Sequence, residues 1–200
     1  GTIRDVCLSD ALNATNVELA LMDIVAEHLP AREKYAHQVA QRLDRPVRIT
    51  ATTNLDEALA GTNYVVTAIE VDRYLYWAQD FHVPRQYGFM QIYGENGGPG
   101  GLFHALRNMG PMLQIAHRME ALCPEAILLN FTNPESKLCQ AISLLTKVRT
   151  FGLCHGFGMG RHQIASFLQV PVADLETSAC GMNHFTWFQT IKDKKTGKDL

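Results

Sequence analysis

The sequence predicts an α/β fold, a doubly wound parallel sheet followed by the start of a smaller α+β substrate module. Two observations carry this. Short apolar runs bounded by turn residues alternate with longer stretches of helical character between residues 17 and 153. After Thr177 the spacing changes to two closely consecutive strand-like runs near a polar turn, the mark of antiparallel pairing. Residues 1–176 are therefore expected to form the larger domain and 177–200 to open the second.

The elements follow in order. Gly1-Thr2-Ile3-Arg4-Asp5 leads into a helix, and residues 17–22 are a short apolar run closed by Asp23. A helical stretch covers 26–43, and 47–50 is a second apolar run. Asn54, with Glu57 three residues on, has the form of a helix cap, and Gly61 closes the short helix it opens. Residues 64–69 are β-rich, and a long irregular segment separates them from a helix over about 102–122. A buried strand at 126–129, a helix over about 134–145 and a strand at 148–153 complete the alternation. Residues 178–182 and 186–191, with a polar turn at 194–197, form the antiparallel part.

Composition sets the bounds. Two hundred residues, 46% hydrophobic and of net charge −2, can bury a sizeable core and carry no basic excess for nucleic acid. No apolar run reaches the length of a membrane span, and no basic stretch precedes an apolar one at the N-terminus, so the expectation is a cytoplasmic chain without membrane contact. Five widely spaced cysteines without a C-x-x-C pair suit reduced thiols better than a disulfide frame or a structural zinc site.

Ligands of a doubly wound sheet sit at the carboxyl edges of its strands, so the residue after each apolar run is a candidate. Asp23 stands where a dinucleotide fold places the carboxylate that accepts hydrogen bonds from the adenosine ribose; helix capping explains it equally well. Asn133, ahead of Pro134, presents an amide either to substrate hydroxyls or to a turn. Cys154, with His155 and Gly156 beside it and Asn183-His184 thirty residues on, is either a metal ligand or an inert buried thiol, the commoner outcome for a lone cysteine. His104, His117 and His162 lie on helical stretches and read as surface or capping residues, and Trp187 and Phe188 as core. Arg107 either meets a carboxylate or solvates a helix face. The strand and G-x-G-x-x-G turn that should precede the first helix are missing, which is expected of an N-terminally trimmed piece.

The segment Tyr93-Gly94-Glu95-Asn96-Gly97-Gly98-Pro99-Gly100-Gly101 places four glycines in five residues before a helix, a generic cradle for an anion or a sugar. Taken in order with Asn130-Phe131-Thr132-Asn133-Pro134, Gly152-Leu153-Cys154-His155-Gly156 and Gly181-Met182-Asn183-His184-Phe185-Thr186-Trp187-Phe188, it resembles glycoside hydrolase family 4, the NAD- and Mn-dependent glycosidases. The resemblance extends through essentially all 200 residues.

It implies a Rossmann-like domain of the lactate and malate dehydrogenase kind. By resemblance, a divalent metal, usually Mn²⁺, is held by Cys154 and His184, the sugar is bound by Asn133 with Glu95 at its pocket, and Asp23 takes the ribose of NAD. The chemistry implied is oxidation at sugar C3, loss of the C2 proton, elimination of the aglycone, addition of water and return of the hydride, an exception to the two-carboxylate mechanism. The position of His155 carries Asp or Asn in the phospho-sugar branch; histidine there matches the α-galactosidase, α-glucosidase and uronidase-like branch and makes His155 the candidate acid. Residues 76–84 lack the Arg and the Asp-Glu pair of the phospho-sugar branch, so an unphosphorylated sugar is expected, and the Gly-Glu-Asn-Gly-Gly form of the loop admits a uronic acid. The catalytic base is expected beyond Leu200, the 200-residue piece is expected to be inactive, and a homo-oligomer, dimer or tetramer, is implied. Two rivals stay open: an NAD-dependent 2-hydroxy acid dehydrogenase, and a non-catalytic module that binds NAD or sugar.

Overall fold

The computed structural model describes residues 1–182 and 184–200. Two compact units are present: Gly1–Asn63 with Ile115–Ala126, and Tyr64–Gln114 with Ile127–Leu200.

The first unit contains helices α1 (Thr2–Leu8) and α2 (Asp10–Asn13), strand β1 (Glu18–Met22), helix α3 (Leu29–Arg42), strand β2 (Arg48–Thr52) and helix α4 (Leu55–Leu59). β1 and β2 pair in parallel, Glu18 opposite Arg48 through Met22 opposite Thr52. Parallel neighbours need a crossover, and α3 supplies it. Ala36 and Ala40, one turn apart on α3, are buried with Cys7 of α1 and Ile49 of β2, and Leu19, Leu21 and Val47 pack around them. Small residues on the helix face let α3 approach the strands closely. Asn54 caps α4 by accepting the Asp56 amide at 3.0 Å, as its spacing predicts. Arg118 then forks onto the Asp56 carboxylate, at 2.7 and 2.5 Å.

The second unit contains three parallel strands in the order β3 (Tyr64–Thr67), β4 (Ile127–Asn130) and β5 (Arg149–Gly152). Its helices are α5 (Arg73–Gln86), α6 (Gly98–Leu122, whose residues from Ile115 count with the first unit), α7 (Glu135–Leu145) and α8 (Gly156–Leu168). Met112, Leu128, Leu138 and Ile142 are fully buried at its centre. Two antiparallel strands follow, β6 (Leu175–Met182) and β7 (Phe185–Asp193), with an irregularity between Ser178 and Ala179.

The alternation of strands and helices is the one the sequence predicts, and among the described residues its parallel strands are bonded as a pair and a triplet. Three expectations need correction. The segment read as irregular contains α5, which buries Asp80 and Pro84 rather than an apolar stripe and so lacks the usual period. α6 starts at Gly98 instead of about 102, because its glycine-rich first turn is held by contacts with α5 that offset poor helix propensity. α8 fills a stretch where only His162 had been placed on a helix. The polar turn after β7 forms where expected, with Asp193 Oδ1 accepting the amides of Lys195 and Thr196 at 3.0 and 2.7 Å. No helix of the described residues is long and apolar enough to cross a membrane.

Candidate active site

The carboxyl end of β4 is built by Asn130, whose side chain is wholly buried. Its Oδ1 accepts from Thr67 Oγ1 at 3.0 Å and from the Thr132 amide at 2.8 Å, while Thr132 Oγ1 accepts the Ile69 amide at 2.9 Å. These bonds tie the loop after β4 to β3, so Asn130 and Thr132 are consumed by structure. Asn133, half-buried and joined to Pro134 by a cis peptide, makes no side-chain hydrogen bond among the described residues.

Cys154 follows β5 as an exposed thiol, and its Sγ accepts the Gly156 amide at 3.4 Å. The expectation of an inert buried thiol therefore fails at this position. His155, also exposed, occupies the N-cap position of α8. Glu135, at the start of α7, lays its carboxylate over Gly152, in the space any other residue would need for its Cβ. Burial pushes the Glu135 carboxyl up, opposed by the nearby His184 and a hydrogen bond with Cys139. Burial also pushes the Cys139 thiol up, so it stays protonated at neutral pH.

His184 is exposed where β6 turns into β7, at a φ of 63°, and its ring meets Tyr93 edge-on with centroids 5.5 Å apart. Asn183, its partner in the sequence motif, lies outside the described residues. Phe188 is half-buried, stacked on Phe157 at 5.7 Å and filling the space beside Gly160. Trp187, expected in the core, is 61% exposed, because adjacent residues of a strand point to opposite faces.

Glu95 is 9% exposed, and its carboxylate accepts the indole N–H of Trp77 on α5. Three of the glycines around it are required by the protein's own packing. A Cβ on Gly94 would crowd the Trp77 carbonyl at 3.2 Å, one on Gly100 would collide with the Asp80 carbonyl, and one on Gly101 would meet the Asn96 carbonyl carbon at 2.8 Å. The close approach they permit is to α5 and to the loop itself.

Beneath this loop lies a buried charge cluster that the sequence did not reveal. His104 is 2% exposed, not on the surface as expected; its Nδ1 is 2.9 Å from Asp80 Oδ2 and its Nε2 is 3.3 Å from Glu70 Oε1. Arg107 pairs with Asp80 and lies over the Tyr76 ring at 4.6 Å, and Arg73 pairs with Glu70. Arg107 thus meets a carboxylate, one of the two roles open to it. The partners come from two separate stretches of chain, 70–80 and 104–107, and the signal available was an aspartate in an otherwise aromatic segment. His117 and His162 are exposed, as expected.

In the first unit Asp23 ends β1 and accepts the Val25 amide at 3.0 Å, with Arg32 and His28 also on its carboxylate. Burial pushes this carboxyl up, but the Val25 amide and the Arg32 guanidinium outweigh it and hold the group below the ordinary carboxylate range. A charged acceptor at the carboxyl end of a parallel strand fits the ribose hydroxyls of NAD.

Among the described residues no group of three or more His, Cys, Asp or Glu side chains could hold a metal. Of the two ligands the resemblance implies, the Cys154 thiol and the His184 imidazole are both exposed. Such a set fits a catalytic ion, whose shell is completed by substrate oxygens and water, and does not fit a closed structural site.

Residues 2–170 match the family described as Family 4 glycosyl hydrolase. The chain is 37% identical over 201 residues to an alpha-glucosidase of Erwinia rhapontici, covering 100% of this chain and 44% of that protein. To an alpha-galactosidase of Bacillus subtilis (strain 168) it is 33% identical over 199 residues, 99% of this chain and 45% of that one. Among solved structures it is similar to a 6-phospho-alpha-glucosidase from gut microorganisms in complex with NAD and Mn²⁺, with a TM-score of 0.82, 25% identity, and coverage of 92% of this chain and 42% of the other. A lactate dehydrogenase from Eimeria maxima shares the fold, at a TM-score of 0.68 and 15% identity over 96% of this chain and 53% of the other. The chain spans less than half the length of the two glycosidases it matches in sequence.

Proposed function

The chain belongs to glycosyl hydrolase family 4, and on that premise we propose that the protein cleaves the O-glycosidic bond of an unphosphorylated α-glucoside, α-galactoside or uronide by redox-assisted elimination. The observation that carries the reading is the exposed Cys154 thiol at the carboxyl end of β5, with His155 beside it. When bound, NAD supplies the hydride acceptor for sugar C3 and a divalent metal, Mn²⁺ as in the similar 6-phospho-alpha-glucosidase, supplies Lewis acidity at the C2 and C3 oxygens.

The chain's own residues do the rest. Cys154 and His184 hold the metal, and Asp23 accepts the ribose hydroxyls. Asn133 binds sugar hydroxyls with its unspent amide, and Glu95 accepts another at the pocket edge. His155, at the amino end of α8, protonates the departing aglycone oxygen. The absence of an Arg and Asp-Glu pair in residues 76–84 supports a sugar without phosphate. The family match does not favour a 2-hydroxy acid dehydrogenase. The same proposal includes a cytoplasmic location, assembly as a dimer or tetramer, and a domain boundary near Thr177.

The test is Cys154→Ser and His184→Gln in the complete enzyme, assayed on nitrophenyl glycosides with NAD and a reductant across a Mn²⁺ titration. Each variant should lose turnover by about 100-fold or more and bind Mn²⁺ more weakly by calorimetry. Turnover that survives both changes, or that never requires metal, would sink the proposal.

A further inference from the structure

Glu95 is held from one side only. The indole N–H of Trp77 donates to its Oε2, and Oε1 takes no hydrogen bond among the described residues, although the side chain is buried. Trp77 itself is fixed, with Phe81 stacked on it at 6.2 Å and 11° and the Arg73 guanidinium 5.7 Å from its ring centroid. The backbone beneath is closed, since Gly94 packs against the Trp77 carbonyl and Gly100 against that of Asp80. His104 and Arg107 of α6 both reach Asp80 of α5, which ties the two helices on either side of the loop. Two residues before Glu95, Tyr93 meets the His184 ring.

The donor type matters. A guanidinium would neutralise a buried carboxylate, whereas a neutral indole N–H fixes its plane and leaves its full charge to a ligand. A buried acceptor with one oxygen tethered and the other unspent suits a hydroxyl donor, and a sugar offers several. We propose that Trp77 is a positioning residue that sets the Glu95 carboxylate to accept a hydrogen bond from a substrate hydroxyl. The identity of the substrate as a sugar rests on the glycosidase reading.

The experiment is a double-mutant cycle in the complete enzyme with Trp77→Phe, which keeps the ring stack and removes the donor, and Glu95→Gln. Trp77→Phe should lower kcat/KM about tenfold, chiefly through KM, without changing NAD affinity. The double variant should be no more than about twofold worse than Glu95→Gln alone, because the indole acts through the carboxylate. Additive losses, an unchanged Trp77→Phe enzyme, or a parallel loss of NAD binding would overturn the proposal. If Trp77→Phe does not fold, Trp77→His keeps a ring N–H at this position and should restore part of kcat/KM relative to Trp77→Leu; equal activity of those two overturns it. The indole ¹⁵N–¹H resonance of Trp77 gives a reading without turnover: it should move on Glu95→Gln substitution, and a stationary resonance overturns the contact itself. A wild-type enzyme with that contact intact but no activity on any glycoside would defeat the glycosidase reading instead.

Discussion

A hydrogen at Gly100 stands where any other residue would drive a carbon into the Asp80 carbonyl. Its φ is not in the left-handed region, so the requirement is steric alone. Gly100→Ala should cost about 1–3 kcal/mol of stability by urea unfolding, since neither backbone can give way cheaply. Asp23 makes a pH prediction. Its folded carboxyl titrates below the ordinary value, so its contribution to stability is complete above about pH 4 and is lost as the pH falls through the lower folded value. Asp23→Asn should therefore flatten the acid limb of the stability curve and leave the neutral region's slope unchanged. The thiols give a third test. Cys154 and Cys180 are exposed while Cys7 and Cys123 are buried, so brief alkylation should modify the first two, and Mn²⁺ with NAD should protect Cys154 but not Cys180. Equal protection of both would remove the metal from Cys154. The places of Asp23, Asn133 and Cys154 just beyond β1, β4 and β5 were legible because short apolar runs mark where strands end. Glu70, Asp80 and His104 were not, because their partners are far apart in sequence and no local pattern announces a buried ion cluster.

Helix α5 shows why an element can be invisible to periodicity. Its buried positions include Asp80 and Pro84, and its large aromatic residues Tyr74 and Tyr87 flank it in the open, so hydrophobicity runs without a face. The helix is held by the ion cluster rather than by an apolar stripe. Asp80→Ala should leave Arg107 and His104 buried without their shared partner and lower the unfolding free energy by about 3–5 kcal/mol. A loss under about 1 kcal/mol in urea titration would mean that the cluster does not hold α5. β1, β2, β4 and α7, by contrast, were readable to within a few residues, since a short apolar run or a helical period marks each. The glycine-rich segment, read as a ligand cradle, also supplies the first turn of α6, where α5 and the loop occupy the space beside Gly100 and Gly101.

Across the whole molecule, the parallel strands and the antiparallel β6–β7 pair were legible, as was family membership, because four motifs sit at strand ends and turns in a fixed order. The way those strands group into two compact units was not, since pairing between distant strands is decided by contacts that no window of sequence contains. On the proposed mechanism the glycosidic bond is broken by elimination after oxidation at C3, so the C2 proton must leave on every turnover. The most direct test incubates the complete enzyme with NAD, Mn²⁺ and a nitrophenyl glycoside in D₂O and reads the released sugar by NMR. Deuterium at C2 in essentially every product molecule, dependent on NAD and abolished by Cys154→Ser, is the expected result. Aglycone release with the C2 proton retained would contradict it.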